Sequence, residues 1–233
     1  EAERFELSEV DFDQVPKMRK ATAKVLKVDE EDITHMLLQR GLPWSTKLLW
    51  RVYTRSRGSA QFDVKGNLLA ATGRDGKDIE GPGLTNYLKD PTKVAEHVGA
   101  ELGKDVELVA LSIHANHVSL EARDPKKREN VDRYSVRPTG VSPPDPVRLH
   151  GPKKAKLDSI TFRLSDLDFQ KLPSHVKLAE KKLGIDDGKL THIIVDNDRR
   201  GAKSLSWDIY ISSERDNGYA AIGNDGKVIR ISK

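Results

Sequence analysis

The sequence predicts an α+β protein of tandem small units, each a helix packed on an antiparallel sheet of about four strands. One observation is the stretch Leu-Leu-Trp-Arg-Val-Tyr at residues 48–53, which leads through Gly58 to a glycine turn. A second is its return as Leu-Ser-Trp-Asp-Ile-Tyr at residues 205–210, followed by Gly218 and a second glycine turn. A third is an amphipathic helix pattern upstream of each copy. A strand of this kind before a short strand and a glycine turn is typical of a β-hairpin.

The two copies align at one constant offset. Matching residues differ by 157 positions from Ser8 to Tyr53, and this span needs no gap. A three-residue insertion in the hairpin loop then aligns Gly58 with Gly218. The identical pairs are Ser8/Ser165, Asp11/Asp168, Phe12/Phe169, Pro16/Pro173, Lys20/Lys177, Lys24/Lys181, Leu26/Leu183, Asp29/Asp186, Thr34/Thr191, His35/His192, Leu48/Leu205, Trp50/Trp207 and Tyr53/Tyr210. This agreement predicts an internal duplication.

The first unit is predicted to be a helix followed by four strands. Asp11 and Asp13 precede Pro16, an order that is typical of a helix start. The helix is expected to run to about Lys27, with an apolar stripe of Val15, Met18, Thr22, Val25 and Leu26. Strands are predicted at residues 33–38, 48–55, 59–64 and 67–72.

The rest of the chain repeats the order of helix and strands twice. A glycine-rich linker at 73–83 precedes a predicted helix at 91–102 and strands at 106–113, 117–122 and 131–137. A proline-rich connector at 138–154, with a short strand at 147–149, leads to an alternating lead-in at 159–164. A helix from Leu172 to Leu183 and strands at 190–195, 205–212, 218–222 and 227–231 follow. The predicted units are therefore 1–75, a diverged middle unit at 84–149, and 156–233.

Composition agrees with several small units and excludes some chemistry. Charged residues make up 33% of the 233 residues, and small units have the surface to carry them. The 40 basic and 36 acidic residues leave a net charge of +4, which indicates a solvated surface of mixed sign. Without cysteine there is no disulfide, zinc ribbon or thiol nucleophile. No apolar run is long enough to span a membrane, but the sequence starts at Glu1 without methionine, which leaves room for a signal or anchor upstream.

The hairpin residues resemble PepSY-like domains. The matching segments are Trp50–Tyr53 with Gly58 and residues 62–68 in the first unit, and residues 207–210 with Gly218 and residues 222–228 in the third. Gly223 stands where the first unit has Asp63, and the middle unit departs from the pattern. The resemblance implies a non-catalytic, extracytoplasmic, protein-binding domain, periplasmic or at the cell surface. The tandem arrangement is also similar to β-lactamase-inhibitory proteins, whose disulfides this chain lacks.

Alternation along the Trp strands predicts two faces with different roles. Trp50 and Trp207 are expected to lie under the helices as core residues. Arg51, Tyr53, Asp208 and Tyr210 point the other way and are expected on an open sheet surface. Tyr and Arg are favoured at binding hot spots, so this face is predicted to bind another protein. A solvated sheet surface without a partner is the alternative.

The remaining motifs give no catalytic, cofactor-binding or metal-binding set. His35 and His192 recur at equivalent positions, which favours a structural role, whereas His114 and His117 flank a turn without nearby cysteine. Residues 196–201 hint at a calcium loop but lack the closing ligands. Basic clusters at 126–128, 153–156 and 199–203 keep binding to nucleic acid or another anionic polymer as the alternative function. We therefore expect a non-enzymatic protein-binding adaptor, inhibitor or scaffold of the bacterial cell envelope.

Overall fold

The computed structural model describes residues 5–41, 47–56, 58–81, 83–149, 156–197 and 205–233. The chain divides into two compact units. Unit 1 comprises residues 1–85 and 137–143, and unit 2 comprises residues 86–136 and 144–233. Both contain helices and antiparallel strands, so the predicted α+β class is confirmed. Within the described residues, no helix combines the length and the apolar character needed to cross a membrane.

Unit 1 is one helix against a four-stranded sheet. Its helix is α1 (Val15–Leu26), and its strands are β1 (Ile33–Arg40), β2 (Leu48–Thr54), β3 (Ser59–Phe62) and β4 (Leu68–Thr72). The strands pair in the order β1-β2-β3-β4, all antiparallel. α1 has Pro16 in its first turn, as predicted, and the Asp11 side chain accepts a hydrogen bond from the Asp13 backbone at the start of a short 3-10 helix (Phe12–Gln14) that leads into α1. It ends at Lys27, which adopts a left-handed conformation with φ of 55°.

The core of unit 1 lies between α1 and one face of the sheet. Trp50, Val52 and Phe62 are buried there beside Met18 of α1. Thr22 is also fully buried, and its hydroxyl donates to the Met18 carbonyl at 2.8 Å, which satisfies the polar group inside the core. The sheet face that carries Arg51 and Tyr53 is therefore the face away from α1, as the alternation predicted.

The segment after β4 folds back along that strand. Gly73 donates its backbone N–H to Lys77, and Ile79 donates to the carbonyl of Ala71 at 2.8 Å. Asp78 forms an antiparallel bridge with Thr72. Residues 77–79 are thus bound to the outer edge of β4, although the glycines predicted a simple linker at 73–83.

Unit 2 contains the remaining helices and most of the remaining strands. Its helices are α2 (Thr92–Leu102), α3 (Leu157–Ile160) and α4 (Leu172–Leu183). The strands after β4 are β5 (Glu107–Ile113), β6 (Val118–Arg123), β7 (Val131–Arg137), β8 (Gly140–Val141, in the segment 137–143), β9 (Asp145–Val147), β10 (Phe162–Arg163), β11 (Lys189–Asn197), β12 (Leu205–Ser212), β13 (Asn217–Gly223) and β14 (Val228–Ser232). The lead-in predicted as an extended stretch at 159–164 is instead the end of α3 followed by β10.

One continuous sheet joins the segments predicted as the middle and third units. Its strands follow the order β14-β13-β12-β11-β5-β6-β7, with β10 beside β5 and β9 beside β7. The junction is the antiparallel pairing of β11 with β5, from Ile193 opposite Ile113 to Asp196 opposite Ala110. Strands of the predicted middle unit, 84–149, and of the predicted third unit, 156–233, therefore belong to one sheet, although a connector at 138–154 was predicted to separate the two units.

The duplication is preserved in the packing. Phe12 meets Trp50 edge-on at 5.8 Å between ring centroids, and the equivalent Phe169 meets Trp207 edge-on at 5.6 Å. α4 packs on β12 and β13 as α1 packs on the first sheet. Trp50 is 7% exposed and Trp207 is fully buried, so the prediction that both are core residues is confirmed.

Candidate protein-binding site

In unit 1, four side chains form a patch on the sheet face away from α1. Register places His35 of β1 opposite Tyr53 of β2, and Leu37 opposite Arg51. His35 and Leu37 are exposed, Leu37 to 42%, while Arg51 and Tyr53 are half-buried. We call these four residues the His–Tyr patch. It lies on β1 and β2, which pair in regular register from His35 opposite Tyr53 to Arg40 opposite Leu48, so its geometry is set by the sheet.

The polar groups of the patch are oriented by one another. The rings of His35 and Tyr53 stack with centroids 4.6 Å apart and planes 14° apart. The guanidinium of Arg51 donates to the Tyr53 hydroxyl at 3.4 Å and lies 6.0 Å from the ring centroid. Thr34 donates to the Tyr53 carbonyl at 3.3 Å and lies 3.0 Å from His35 Nδ1. Contacts within the protein thus restrict the side chains of Arg51 and Tyr53 before any partner arrives.

The same arrangement recurs in unit 2. His192 stacks on Tyr210 at 4.2 Å, with planes 12° apart. Thr191 again lies 3.0 Å from the histidine Nδ1 and donates to the tyrosine carbonyl at 3.2 Å. Two copies that have diverged elsewhere keep this Thr–His–Tyr set. The set therefore has a structural role in both sheets, where it joins neighbouring strands.

In unit 2 the stack extends over β11, β12 and β13 and onto the turn between β5 and β6. His117 stacks on His114 at 4.4 Å, His114 on His192 at 5.6 Å, and Tyr210 on Tyr219 at 5.3 Å. We call the row His117, His114, His192, Tyr210 and Tyr219 the aromatic ladder. Because each inner ring stacks on two neighbouring rings, its faces are less available for stacking with nucleic-acid bases.

Two histidines of the ladder lie beside polar side chains of their own β-hairpin. Among the described residues, no group of three or more His, Cys, Asp or Glu side chains is placed to hold a metal ion. His114 Nε2 lies 3.0 Å from the Ser112 hydroxyl, and His117 Nδ1 lies 2.7 Å from Asn116 Oδ1. Burial lowers the pKa of His114, which favours its neutral form.

Asp208 does not lie on an open surface. Its side chain faces the same way as Tyr210, as alternation predicted, but the residue is only 3% exposed. Tyr210 itself is half-buried. The expectation of a solvent-facing Asp208 is therefore wrong, because strand alternation tells which face a residue occupies and not whether that face is covered.

The other sequence candidates contribute little to a site. Arg128, from the basic cluster at 126–128, donates to both carboxylate oxygens of Glu107 at 2.9 Å. The cluster at 153–156 falls outside the described residues except for Lys156, and the cluster at 199–203 and most of the calcium-like loop at 196–201 also lie outside them. The described basic cluster is therefore partly neutralised by the protein itself.

A cleft of about 770 Å³ in unit 2 was not predicted from the sequence. Its charged lining has both signs: Glu101, Lys104, Asp105, Glu107, Arg123, Asp124, Arg128 and Arg163. The Arg123 guanidinium donates to Asp158 at 2.6 Å and to the Arg128 carbonyl at 2.8 Å, so it holds the wall of the cleft together. This mixed lining does not select a ligand of one charge.

The fold and the patch define a class: tandem helix-on-sheet α+β units that carry a repeated His–Tyr stack. No protein-family model and no curated protein matches the chain. Among solved structures, it is similar to a lipoprotein candidate from Clostridium difficile 630, with TM-score 0.41 and 14% identity over 64% of this chain and 92% of that one. It is also similar to the C-terminal domain of YpeB from Bacillus megaterium, with TM-score 0.28 and 9% identity over 96% of this chain and 97% of that one.

Proposed function

We propose that the protein is a non-enzymatic protein-binding module of the bacterial cell envelope, and that the His–Tyr patch of unit 1 contacts the partner. The observation that carries the proposal is the preoriented Arg51–Tyr53 pair beside exposed Leu37. Tyrosine and arginine are enriched among hot-spot residues, and an adjacent exposed leucine supplies apolar area. The envelope location rests on the resemblance of the Trp–Gly hairpins to PepSY-like domains.

The physical argument concerns the conformational entropy that side chains lose when they bind a partner. A long side chain that a partner must immobilise loses about 0.5–1.5 kcal/mol of conformational freedom on binding. Arg51 is already bonded to Tyr53, and Tyr53 is already stacked on His35, so part of this cost is met during folding. The Tyr210 ring in unit 2 has His192 on one face and Tyr219 on the other, which leaves it less free to contact a partner.

A site-specific crosslinking experiment tests the proposal. A photoreactive amino acid replaces Leu37 in the patch, or, as the control, exposed Lys20 on the helix side of unit 1. After irradiation in an envelope fraction of the source organism, we expect a protein adduct from position 37 and none of the same mass from position 20. The double substitution Arg51→Ala, Tyr53→Ala should reduce the adduct and weaken binding of the purified partner about tenfold or more.

Tyr210→Ala is the matched change in the other copy, and we expect it to leave the adduct at position 37 in place. The proposal fails if the Arg51/Tyr53 double variant, folded by circular dichroism, captures the same partner as strongly as the wild type. It also fails if the adduct forms equally from position 20, since the contact would then not involve the patch.

A further inference from the structure

The solvent-facing side of α1 is a row of lysines. In α1 and its C-cap, the exposed residues are Pro16 and four lysines: Lys17, Lys20, Lys24 and Lys27. At 3.6 residues per turn, the first three lysines fall within an arc of about 60°. Their β-carbons are about 5–6 Å from one neighbour to the next. The fourth follows at the C-cap, and we call these four residues the lysine stripe.

The positive charge of the stripe is local and is not neutralised by the protein. α1 contains no Asp or Glu, and among the described residues none of the four lysines forms an ion pair. Residues 1–85 as a whole carry 14 basic and 14 acidic residues, so the stripe reflects segregation of charge rather than a basic domain. Like charges four residues apart, such as Lys20 and Lys24, destabilise a helix. The stripe therefore does not serve the stability of α1.

The second copy retains only the middle of the stripe. Between α1 and α4 the two middle lysines are kept and the two outer ones are replaced, as the pairs Lys20/Lys177, Lys24/Lys181, Lys17/Ser174 and Lys27/Gly184 show. α4 also has an acid, Glu180, where α1 has Ala23. The stripe of the first copy is thus longer at both ends and is interrupted by no acid.

Both outer lysines occupy positions that are unfavourable for lysine. Lys17 lies in the first turn of α1, where the helix dipole disfavours a positive charge. Lys27 has a left-handed backbone conformation with φ of 55°, where the second copy has Gly184 with φ of 54°. A residue with a β-carbon is strained in this conformation, whereas glycine is not. A strained backbone that presents an exposed side chain points to a binding role for that side chain.

The surroundings of the stripe favour a flexible chain over a membrane or a nucleic acid as its ligand. Exposed Asp13 and Asp29 stand just before and after the stripe, and a planar anionic membrane along α1 would approach these carboxylates as well. The apolar side of α1 packs in the core of unit 1, so it cannot insert into a bilayer. α1 also has no aromatic side chain on which a nucleic-acid base could stack. A flexible polymer can follow the stripe and turn away before it reaches the acids.

We propose that the lysine stripe binds a phosphodiester polymer without bases and recognises it by charge alone. The ammonium groups donate hydrogen bonds to phosphate oxygens, and the polymer releases the cations that it had held. The stripe and the His–Tyr patch lie on opposite sides of unit 1, so this site does not depend on the function proposed for the patch.

Binding of end-labelled poly(glycerol phosphate) to the whole chain, followed by fluorescence anisotropy at rising salt, tests the site. For four lysines, the logarithm of the association constant should fall against the logarithm of the salt concentration with a slope of about −2.8. The variant Lys17→Ser, Lys27→Gly installs the residues of the second copy, which suit these positions, so it should keep the wild-type circular dichroism. It should bind about tenfold or more weakly at about 50 mM salt, with a slope of about −1.4.

The matched control is Lys126→Ser, Lys127→Ser, which removes the same charge from an exposed turn of unit 2. We expect this variant to bind the polymer within about twofold of the wild type, because local phosphate contacts and not net charge set the affinity. The proposal is overturned if the wild type does not bind the polymer or if the two double variants bind it equally well. It is also overturned if oligo(dT) or phosphatidylglycerol vesicles bind more tightly at equal phosphate, since the ligand would then be a nucleic acid or a membrane.

Discussion

At the scale of single residues, His175 is the most informative difference between the two copies. It occupies the position of Met18 in α1, which is fully buried, and is itself only 4% exposed. Its ring lies 6.2 Å from that of Trp207 under α4. Burial lowers the pKa of His175 and Lys171 acts in the same direction, while Asp168 and Asp225 oppose the shift. The folded protein therefore favours the neutral imidazole.

We predict that unit 2 loses stability in mild acid because of His175. A histidine whose pKa is lowered by folding binds its proton more readily in the unfolded chain. The free energy of unfolding should then fall as pH drops below about 6.5, by at most about 1.4 kcal/mol per pH unit. Urea midpoints measured between about pH 7.5 and pH 5.0 would show this slope.

The matched variant is His175→Met, which installs the residue of the first copy. It should make the slope shallower while leaving a smaller one, because burial also lowers the pKa of His114. An unchanged pH slope in His175→Met would show that other groups cause the acid sensitivity.

Asp208 shows how far the sequence could predict the site. Strand alternation correctly placed Arg51, Tyr53, Asp208 and Tyr210 on the faces opposite the tryptophans. It could not predict that Asp208 is buried while its counterpart Arg51 is half-buried. The burial of a side chain on a sheet face depends on residues distant in sequence that pack over that face. The binding role of these four residues stays a prediction.

At the scale of elements, Gly58 and Gly218 lie at equivalent positions where the helix and the last strand of each copy come close to the backbone of the glycine. A β-carbon at Gly218 would lie 2.7 Å from the Ser232 carbonyl oxygen and 2.9 Å from a Leu183 methyl. At Gly58 it would lie 3.2 Å from the Thr72 oxygen and 3.4 Å from Leu26. The helix and the last strand therefore approach this glycine in both units, but more closely in the second.

We predict that Gly218→Ala destabilises the protein more than Gly58→Ala. The first substitution forces β13 away from a backbone oxygen and should cost about 1–3 kcal/mol. The second requires neighbouring atoms to shift by only a few tenths of an ångström. Alanine also lowers the conformational entropy of the unfolded chain, which stabilises the folded protein by about 0.4–1 kcal/mol and offsets the cost of that shift. Differential scanning calorimetry of both variants measures the difference, and equal losses would contradict the packing argument.

The sequence predicted most elements to within a residue or two, because the helices and hairpins carry strong local patterns. The helix predicted to start at Leu172 and stop at Gly184 is α4, Leu172–Leu183. The linker predicted from the glycines at 73–83 was incomplete, because glycines indicate turns but not the backbone hydrogen bond that Ile79 donates to Ala71. Alternation at 159–164 also matched a strand, although Ile160 ends a short helix.

At the scale of the molecule, the pairing of β11 with β5 decides the organisation of unit 2. Ile193 and Val195 of β11 are fully buried in the shared sheet. α3 and β5 also share a cluster, with Leu157 and Ile160 packed near Val109. The third repeat thus completes its core with residues from the middle segment.

We predict that residues 86–233 fold as one cooperative body and that residues 156–233 alone do not. Without β5, the shorter fragment exposes one edge of β11 and the Leu157–Ile160 cluster. Limited proteolysis and thermal unfolding should show a single sharp transition for 86–233, and rapid cleavage or aggregation for 156–233. A protease-resistant, cooperatively melting 156–233 fragment would instead support the independent third unit that the repeat pattern predicts.

The long-range pairing could not be predicted from the sequence. The duplication suggested that each copy closes its own sheet, and unit 1 does so. Nothing in the local pattern of residues 106–113 indicates a partner in the third repeat, because periodicity reports faces and not neighbours. For the same reason the sequence does not predict the aromatic ladder, although it places His114 and His117 at one turn and His192 in a predicted strand.

The junction also sets an order of events during synthesis. All strand pairs of the four-stranded sheet in unit 1 connect residues close in sequence, so that sheet can close early on the ribosome. β5 pairs with residues 193–196 and must wait until most of the chain has been made. Over that interval its edge at residues 110–113 lacks the strand that later completes it, and β1, the repeat counterpart of β11, is already present in the nascent chain. We therefore expect the first sheet to close before β5 is synthesised, which keeps β1 from pairing with the open edge of β5.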